Sequence, residues 1–124
     1  MEKYLIVSLG AAIGGSFRYW LSNQVYKILP STFPYGTLTV NILGSFLLGF
    51  IIFYFDEKGI ISPSLKLFLT IGFCGGFTTF STFSLETINL LRDSEILLAS
   101  YNIILSVVLC LLGIYLAYLL AKIL

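Results

Sequence analysis

One stretch of the chain concentrates hydroxyls, aromatic rings and glycines: Gly-Phe-Cys-Gly-Gly-Phe-Thr-Thr-Phe-Ser-Thr-Phe-Ser (72–84). Five hydroxyls, on Thr78, Thr79, Ser81, Thr82 and Ser84, fall within seven residues and alternate with Phe77, Phe80 and Phe83. An aromatic ring has a positive edge. Ring edges combined with hydroxyl or amide donors could strip water from a small anion without a fixed cation to trap it. The plainer use of such a stripe is packing. Gly75-Gly76 stands just before the hydroxyls, and each glycine destabilises a helix interior by about 1 kcal/mol. The pair therefore predicts a broken helix. Unwound backbone inside a membrane is tolerated only where protein buries it or where it lines a cavity. Carbonyls freed by a break can hold a hard cation such as Na⁺, and the N-terminus of the next half-helix favours anions. The alternative is a glycine kink with hydroxyls bonded back to the preceding turn.

Other polar residues sit in equally apolar surroundings. Thr37, Asn41 and Ser45 recur at every fourth position and share a helix face, with Gly44 beside them and Gly49 one turn on. Such residues can bond packed helices together. Asn41, with two N–H donors and no obvious single partner, reads better as part of a water-filled or ion-lined path. Gly10, Gly14 and Gly15 make a small-residue face of the GxxxG kind. Arg18, followed by Tyr19 and Trp20, is either a snorkelling cation in an aromatic belt or a positive charge that draws anions to a vestibule. Glu86 stands late in its segment, where an interfacial position explains it. Asn102, Ser106 and Cys110 form a weaker polar stripe, suited to helix contact or to an outer path. Cys74 and Cys110 read as small hydrophobes. There is no histidine, so no Ser-His or Cys-His pair exists and no catalytic constellation is visible.

The elements that must position these residues follow from composition. Of 124 residues, 58% are hydrophobic and only 10% are charged, against roughly 25% charged in an average soluble domain. This excludes a disordered chain and a nucleic-acid binder, which needs a basic footprint, and it argues against a water-soluble enzyme. A spanning helix takes about 20 residues. Apolar runs and their punctuation predict an all-α integral membrane protein with four transmembrane helices: Tyr4 to Tyr26, Gly36 to Phe55, Leu65 to Leu91 and Ile96 to Leu120. Pro30-Ser31-Thr32-Phe33-Pro34 makes the first turn, Asp56-Glu57-Lys58-Gly59 the second and Arg92-Asp93-Ser94-Glu95 the last. Ser62-Pro63-Ser64 starts the third helix. The first helix reads as its own insertion signal, not a removed signal peptide. No linker divides the chain, so residues 1–124 form a single domain.

Four helices enclose very little, so a permeation path calls for more than one copy. Four spans put Lys3, Lys58, Lys66 and Lys122 on one side, and Arg18, Lys27 and Arg92 on the other. Orientation follows an excess of Lys and Arg, and four against three is almost none. The chain can therefore insert both ways up, and the natural closed assembly is an antiparallel, dual-topology homodimer. A single preferred orientation is the alternative.

Three motifs carry a resemblance to a known family. Gly-Gly-Ser-Phe-Arg-Tyr (14–19), Gly-Thr-Leu-Thr-Val-Asn-Ile-Leu-Gly-Ser-Phe-Leu-Leu-Gly (36–49) and the 72–84 stretch resemble the first, second and third helices of the small fluoride channels, the Fluc or CrcB family. The resemblance extends to length and layout. It implies an antiparallel homodimer with two narrow pores in the cytoplasmic (inner) membrane. It implies passive, selective export of fluoride, and a structural, untransported Na⁺ at the dimer centre, held by main-chain carbonyls at Gly75 and Thr78. On this pattern Phe80 and Phe83 are the pore phenylalanines and Asn41 the pore asparagine. Arg18 is the first-helix arginine, and Ser81 and Thr82 are hydroxyls beside the rings. Thr37 and Ser106 complete the candidate fluoride path. The chain departs from the family at Cys110, where a hydroxyl is expected, and Ile114 ends the run. The rival class is a proton-coupled small multidrug exporter, also built of four helices. It needs a membrane-embedded carboxylate, and here the one acid near the first helix, Glu2, lies outside the span.

Overall fold

The computed structural model describes all 124 residues, and every regular element is a helix. Helix α1 is Glu2–Tyr26. Helix α2 begins as Tyr35–Phe50 and continues through wider π-type turns over Ile51–Asp56. The third helical segment is divided. Its first half, α3 (residues 63–77), runs Pro63–Leu67, widens to π-type turns over Phe68–Cys74 and ends with Gly75–Phe77. Its second half, α4, is Phe80–Arg92, and α5 is Ile96–Ile123.

The termini follow local chemistry. The Ser62 hydroxyl accepts the Leu65 N–H at 3.1 Å with Pro63 in the first turn, an arrangement that satisfies a donor the helix cannot. Gly59 takes φ +68° just past α2, the left-handed conformation that glycine adopts without a Cβ penalty. Lys66 and Asp56 pair at 2.9 Å across that turn. Ser94 turns the chain between α4 and α5 at φ 61°.

Tyr35–Asp56, Pro63–Arg92 and Ile96–Ile123 are each long and apolar enough to cross a membrane. Helix α1 has the length, at 25 residues, but its glycines, serines and Arg18 dilute its apolar character. Only 22 of 124 residues are buried, and the exposed surface is rich in Leu, Ile and Val. A chain with so small a core is built to be covered by lipid or by another chain.

The break differs from the sequence expectation in place. Gly75 is helical, at φ −63° and ψ −38°, and the helix opens three residues later. Thr78 (φ −94°, ψ 160°) and Thr79 (φ −153°, ψ 116°) are extended. The glycines serve close approach instead. A Cβ on Gly76 would lie 2.5 Å from the Ala11 carbonyl oxygen and 3.0 Å from its Cα, and one on Gly14 would collide with the Phe73 carbonyl. α1 and α3 therefore meet backbone to backbone.

Candidate functional site

The break is closed by side chains from two other helices. Asn41 on α2 accepts the Thr79 N–H at 2.8 Å through Oδ1 and donates through Nδ2 to the Thr79 carbonyl at 3.1 Å. One amide thus matches both polar groups of one extended residue, as a neighbouring β-strand would. Arg18 on α1 donates through Nε to the Gly76 carbonyl at 3.0 Å. The Cys74 carbonyl accepts both the N–H of Thr78, at 3.0 Å, and its hydroxyl, at 2.9 Å. Thr79 then caps α4: its Oγ1 accepts the Thr82 N–H at 3.1 Å and donates to the Thr82 hydroxyl at 3.0 Å.

These bonds divert two helical donors. The Thr79 N–H would have reached the Gly75 carbonyl, and the Thr82 N–H the Thr78 carbonyl. Both bond to side chains instead. The break as a whole frees the carbonyls of residues 75–78; Arg18 takes that of Gly76, and those of Gly75 and Thr78, which line one groove, are the two that the family resemblance assigns to Na⁺. A hard cation takes oxygen ligands of this kind, so the residues present fit the ion.

That groove has a volume of about 580 Å³ and runs between α2, the break and α5. It gathers Asn41, Phe80, Phe83, Ser106, Gly75 and Thr78. Phe80 is 78% exposed, an unusual state for a phenylalanine flanked by hydroxyls, and its ring centroid lies 5.4 Å from that of Phe83. Asn41 keeps one of its two N–H donors unused.

Four predicted residues lie off the groove. Ser81 is exposed, with its hydroxyl 3.3 Å from that of Thr79. Thr82 receives the cap. Arg18 is committed to Gly76. Thr37 is buried and stands beside Glu86. Glu86 lines a separate cavity of about 410 Å³ with Tyr26, Asn89, Asp93 and Glu95, and its Oε1 is buried with no hydrogen bond. Ser106 reaches the groove, but its hydroxyl points to Asn102 Oδ1 at 3.4 Å.

Sequence reasoning did not single out Thr79, which holds the break together. The signal was present: a threonine just ahead of a helical run is a favoured N-cap.

The family model described as "CrcB-like protein, Camphor Resistance (CrcB)" matches residues 5–118. The chain belongs to the CrcB-like family. Curated relatives share close to half of its residues. A protein of Geotalea uraniireducens (strain Rf4) is 47% identical over 122 residues, covering 98% of each chain. One of Geotalea daltonii is 49% identical over 111 residues, or 90% of each. One of Methylocella silvestris is 45% identical over 120 residues, covering 95% of this chain and 92% of its own. Each of the three is named "Fluoride-specific ion channel FluC". Family membership and the apolar helices together make the CrcB-like chain a multi-pass membrane protein.

Proposed function

We propose that the chain forms a fluoride-specific channel that lets fluoride leave the cytoplasm down its own gradient. It works as a homodimer of oppositely oriented copies in the cytoplasmic membrane. The names of its relatives support the ion. The exposed Phe80, set beside Phe83 and the spare amide donor of Asn41 on an open groove, supports the mechanism.

Fluoride holds its water tightly, so a selective path must replace that water with donors at close quarters. Asn41 is fixed by Thr79 and offers its second N–H without rearrangement. Phe80 and Phe83 offer ring edges. None of these groups carries a full charge, so the anion is solvated without being trapped. Arg18 brings positive charge to the break while it closes the Gly76 carbonyl.

The dimer answers the open groove. α1 serves as a fourth span beside the three more apolar ones, which places both termini on one side. The four-to-three division of Lys and Arg favours neither orientation. A second copy covers the apolar groove and brings its own Phe80. Gly75 and Thr78 of each copy would hold a Na⁺ through their carbonyls. The ion supplies positive charge where two half-helices expose oxygens, and it stays in place while fluoride passes.

Liposomes loaded with potassium fluoride test the reading. Valinomycin removes the opposing potential, and a fluoride electrode follows efflux. Efflux of fluoride but not chloride is expected; equal efflux of both, or of neither, would sink the proposal. Phe80→Ile should cut fluoride efflux by about tenfold or more while the dimer stays folded, since the ring is largely exposed. Near-normal efflux would assign the phenylalanine stripe to packing.

A further inference from the structure

We infer that Asn102 is a positioning residue for the pore phenylalanines and acts through Thr87. Its functional meaning rests on the channel reading above. Asn102, 2% exposed on α5, donates through Nδ2 to the Thr87 hydroxyl on α4 at 2.9 Å. Thr87 is 6% exposed and donates its single hydroxyl proton to the Phe83 carbonyl at 2.8 Å. Ser106 donates to Asn102 Oδ1 at 3.4 Å. The chain Ser106, Asn102, Thr87, Phe83 carbonyl therefore runs in one direction, and each bond polarises the next.

The placement along α4 gives this chain its purpose. Phe83 and Thr87 are spaced by four and share one face of α4, and the extended Thr79 is its N-cap. Asn41 pins the backbone of that cap, and Asn102 pins the helix two turns on at Thr87, about 12 Å away at 1.5 Å per residue. One anchor would leave α4 free to pivot and roll about its broken end. Two anchors, one at the start of the helix and one two turns on, restrain both motions, and Phe83 lies midway between them in sequence. Phe80 touches Phe83 ring to ring, so the setting of one ring carries to the other. An outer ion path does not explain Asn102, because it is absent from the groove lining that includes Ser106. The Thr87 hydroxyl bonds its own i−4 carbonyl as helical threonines commonly do; what sets it apart is that Asn102 ties it to α5 one turn from Phe83.

Full-length protein carrying 4-fluorophenylalanine at position 83 tests the inference by ¹⁹F NMR in lipid nanodiscs, with fluoride efflux from liposomes measured in parallel. Asn102→Leu and Thr87→Val should each move the position-83 resonance and lower fluoride efflux by about tenfold. The double variant should be no worse than either single one, because both remove the same bond. Thr87→Ser, which keeps the hydroxyl, should restore resonance and efflux. If Asn102→Leu yields no folded protein, Thr87→Val breaks the bond from the other side.

An unmoved resonance in Thr87→Val overturns the inference whatever the efflux. A moved resonance with unchanged efflux overturns its functional half, and so do additive losses in the double variant. Should the unsubstituted protein pass no fluoride, the channel reading fails, and the resonance alone still decides whether Asn102 sets the ring.

Discussion

The two halves of the divided third helical segment are held in place by different means. Before the break, α3 lies against α1 in close backbone contact: Gly10 and Gly14 face the backbone of residues 68–77, and Gly76 faces Ala11, with Phe17 packed on Phe73 and Phe77 and one bond from Arg18 to Gly76 beside the contact. After the break, α4 contains no glycine, and two asparagines from neighbouring helices hold it at Thr79 and Thr87. Close backbone contact has no strong preference for one rotation and depends on many small dispersion terms. Hydrogen bonds are few and directional. The half without the candidate rings is seated mainly by shape, with the single Arg18 bond at its end, and the half that carries them is aimed by bonds. The two should therefore respond differently to substitution.

Shape should fail most severely. A Cβ on Gly14 collides with the Phe73 carbonyl and comes within 3.0 Å of the Phe77 nitrogen, both backbone atoms that cannot swing aside. Gly14→Ala should destabilise the protein by about 3 kcal/mol, read as a lower melting temperature in detergent. Its neighbour is the control. A Cβ on Gly15 finds nothing closer than the Gly76 carbonyl oxygen at 3.9 Å, so Gly15→Ala should match or slightly exceed the parent stability, by up to about 1 kcal/mol. Equal losses in both variants would remove the distinction between a seated half and an aimed half.

The seat also shows what could be read from sequence. The helical segments and the Ser62 start were legible because apolar runs and capping chemistry each have a local signature; the lone amide of Asn41 was conspicuous, but its single partner, the Thr79 backbone, was not legible. The position of the break was not. Gly75-Gly76 predicts weakness in a helix, yet a missing Cβ serves tight packing equally well, and only the neighbour across the contact decides between them. Here that neighbour is Ala11, more than sixty residues away in the chain. The partner of Asn102 was hidden for a related reason. A polar stripe at every fourth position shows which residues share a face and is silent on which helix that face meets. Thr37, placed beside Asn41 by the same spacing rule, lies next to Glu86 and outside the groove.

The bonded half should fail by smaller, separable steps. Asn41→Ala removes two bonds at once and leaves the N–H and carbonyl of Thr79 without partners in the interior. The expected loss is about 2 kcal/mol in stability, seen as a lower melting temperature, together with reduced fluoride efflux from loss of the spare amide donor. A stability loss of 3 kcal/mol or more, equal to that of Gly14→Ala, would mean that the asparagine supports the fold as strongly as the helix seat does.

The smallest effect belongs to the cap. The Thr79 hydroxyl accepts one orphan N–H of α4 and donates to the Thr82 hydroxyl, but the Thr79 backbone, which Asn41 grips, is unchanged by loss of its side chain. Thr79→Ala should therefore cost about 1 kcal/mol, and Thr79→Ser, which keeps the oxygen, much less. Combined with Asn41→Ala, the loss should exceed the sum of the two single losses, because α4 would then have neither a cap nor a tether at its broken end and would depend on Thr87 alone. A double-mutant cycle read by thermal melting settles it. Strict additivity would show the cap and the tether to be independent, and the break to be two separate local structures that happen to share Thr79.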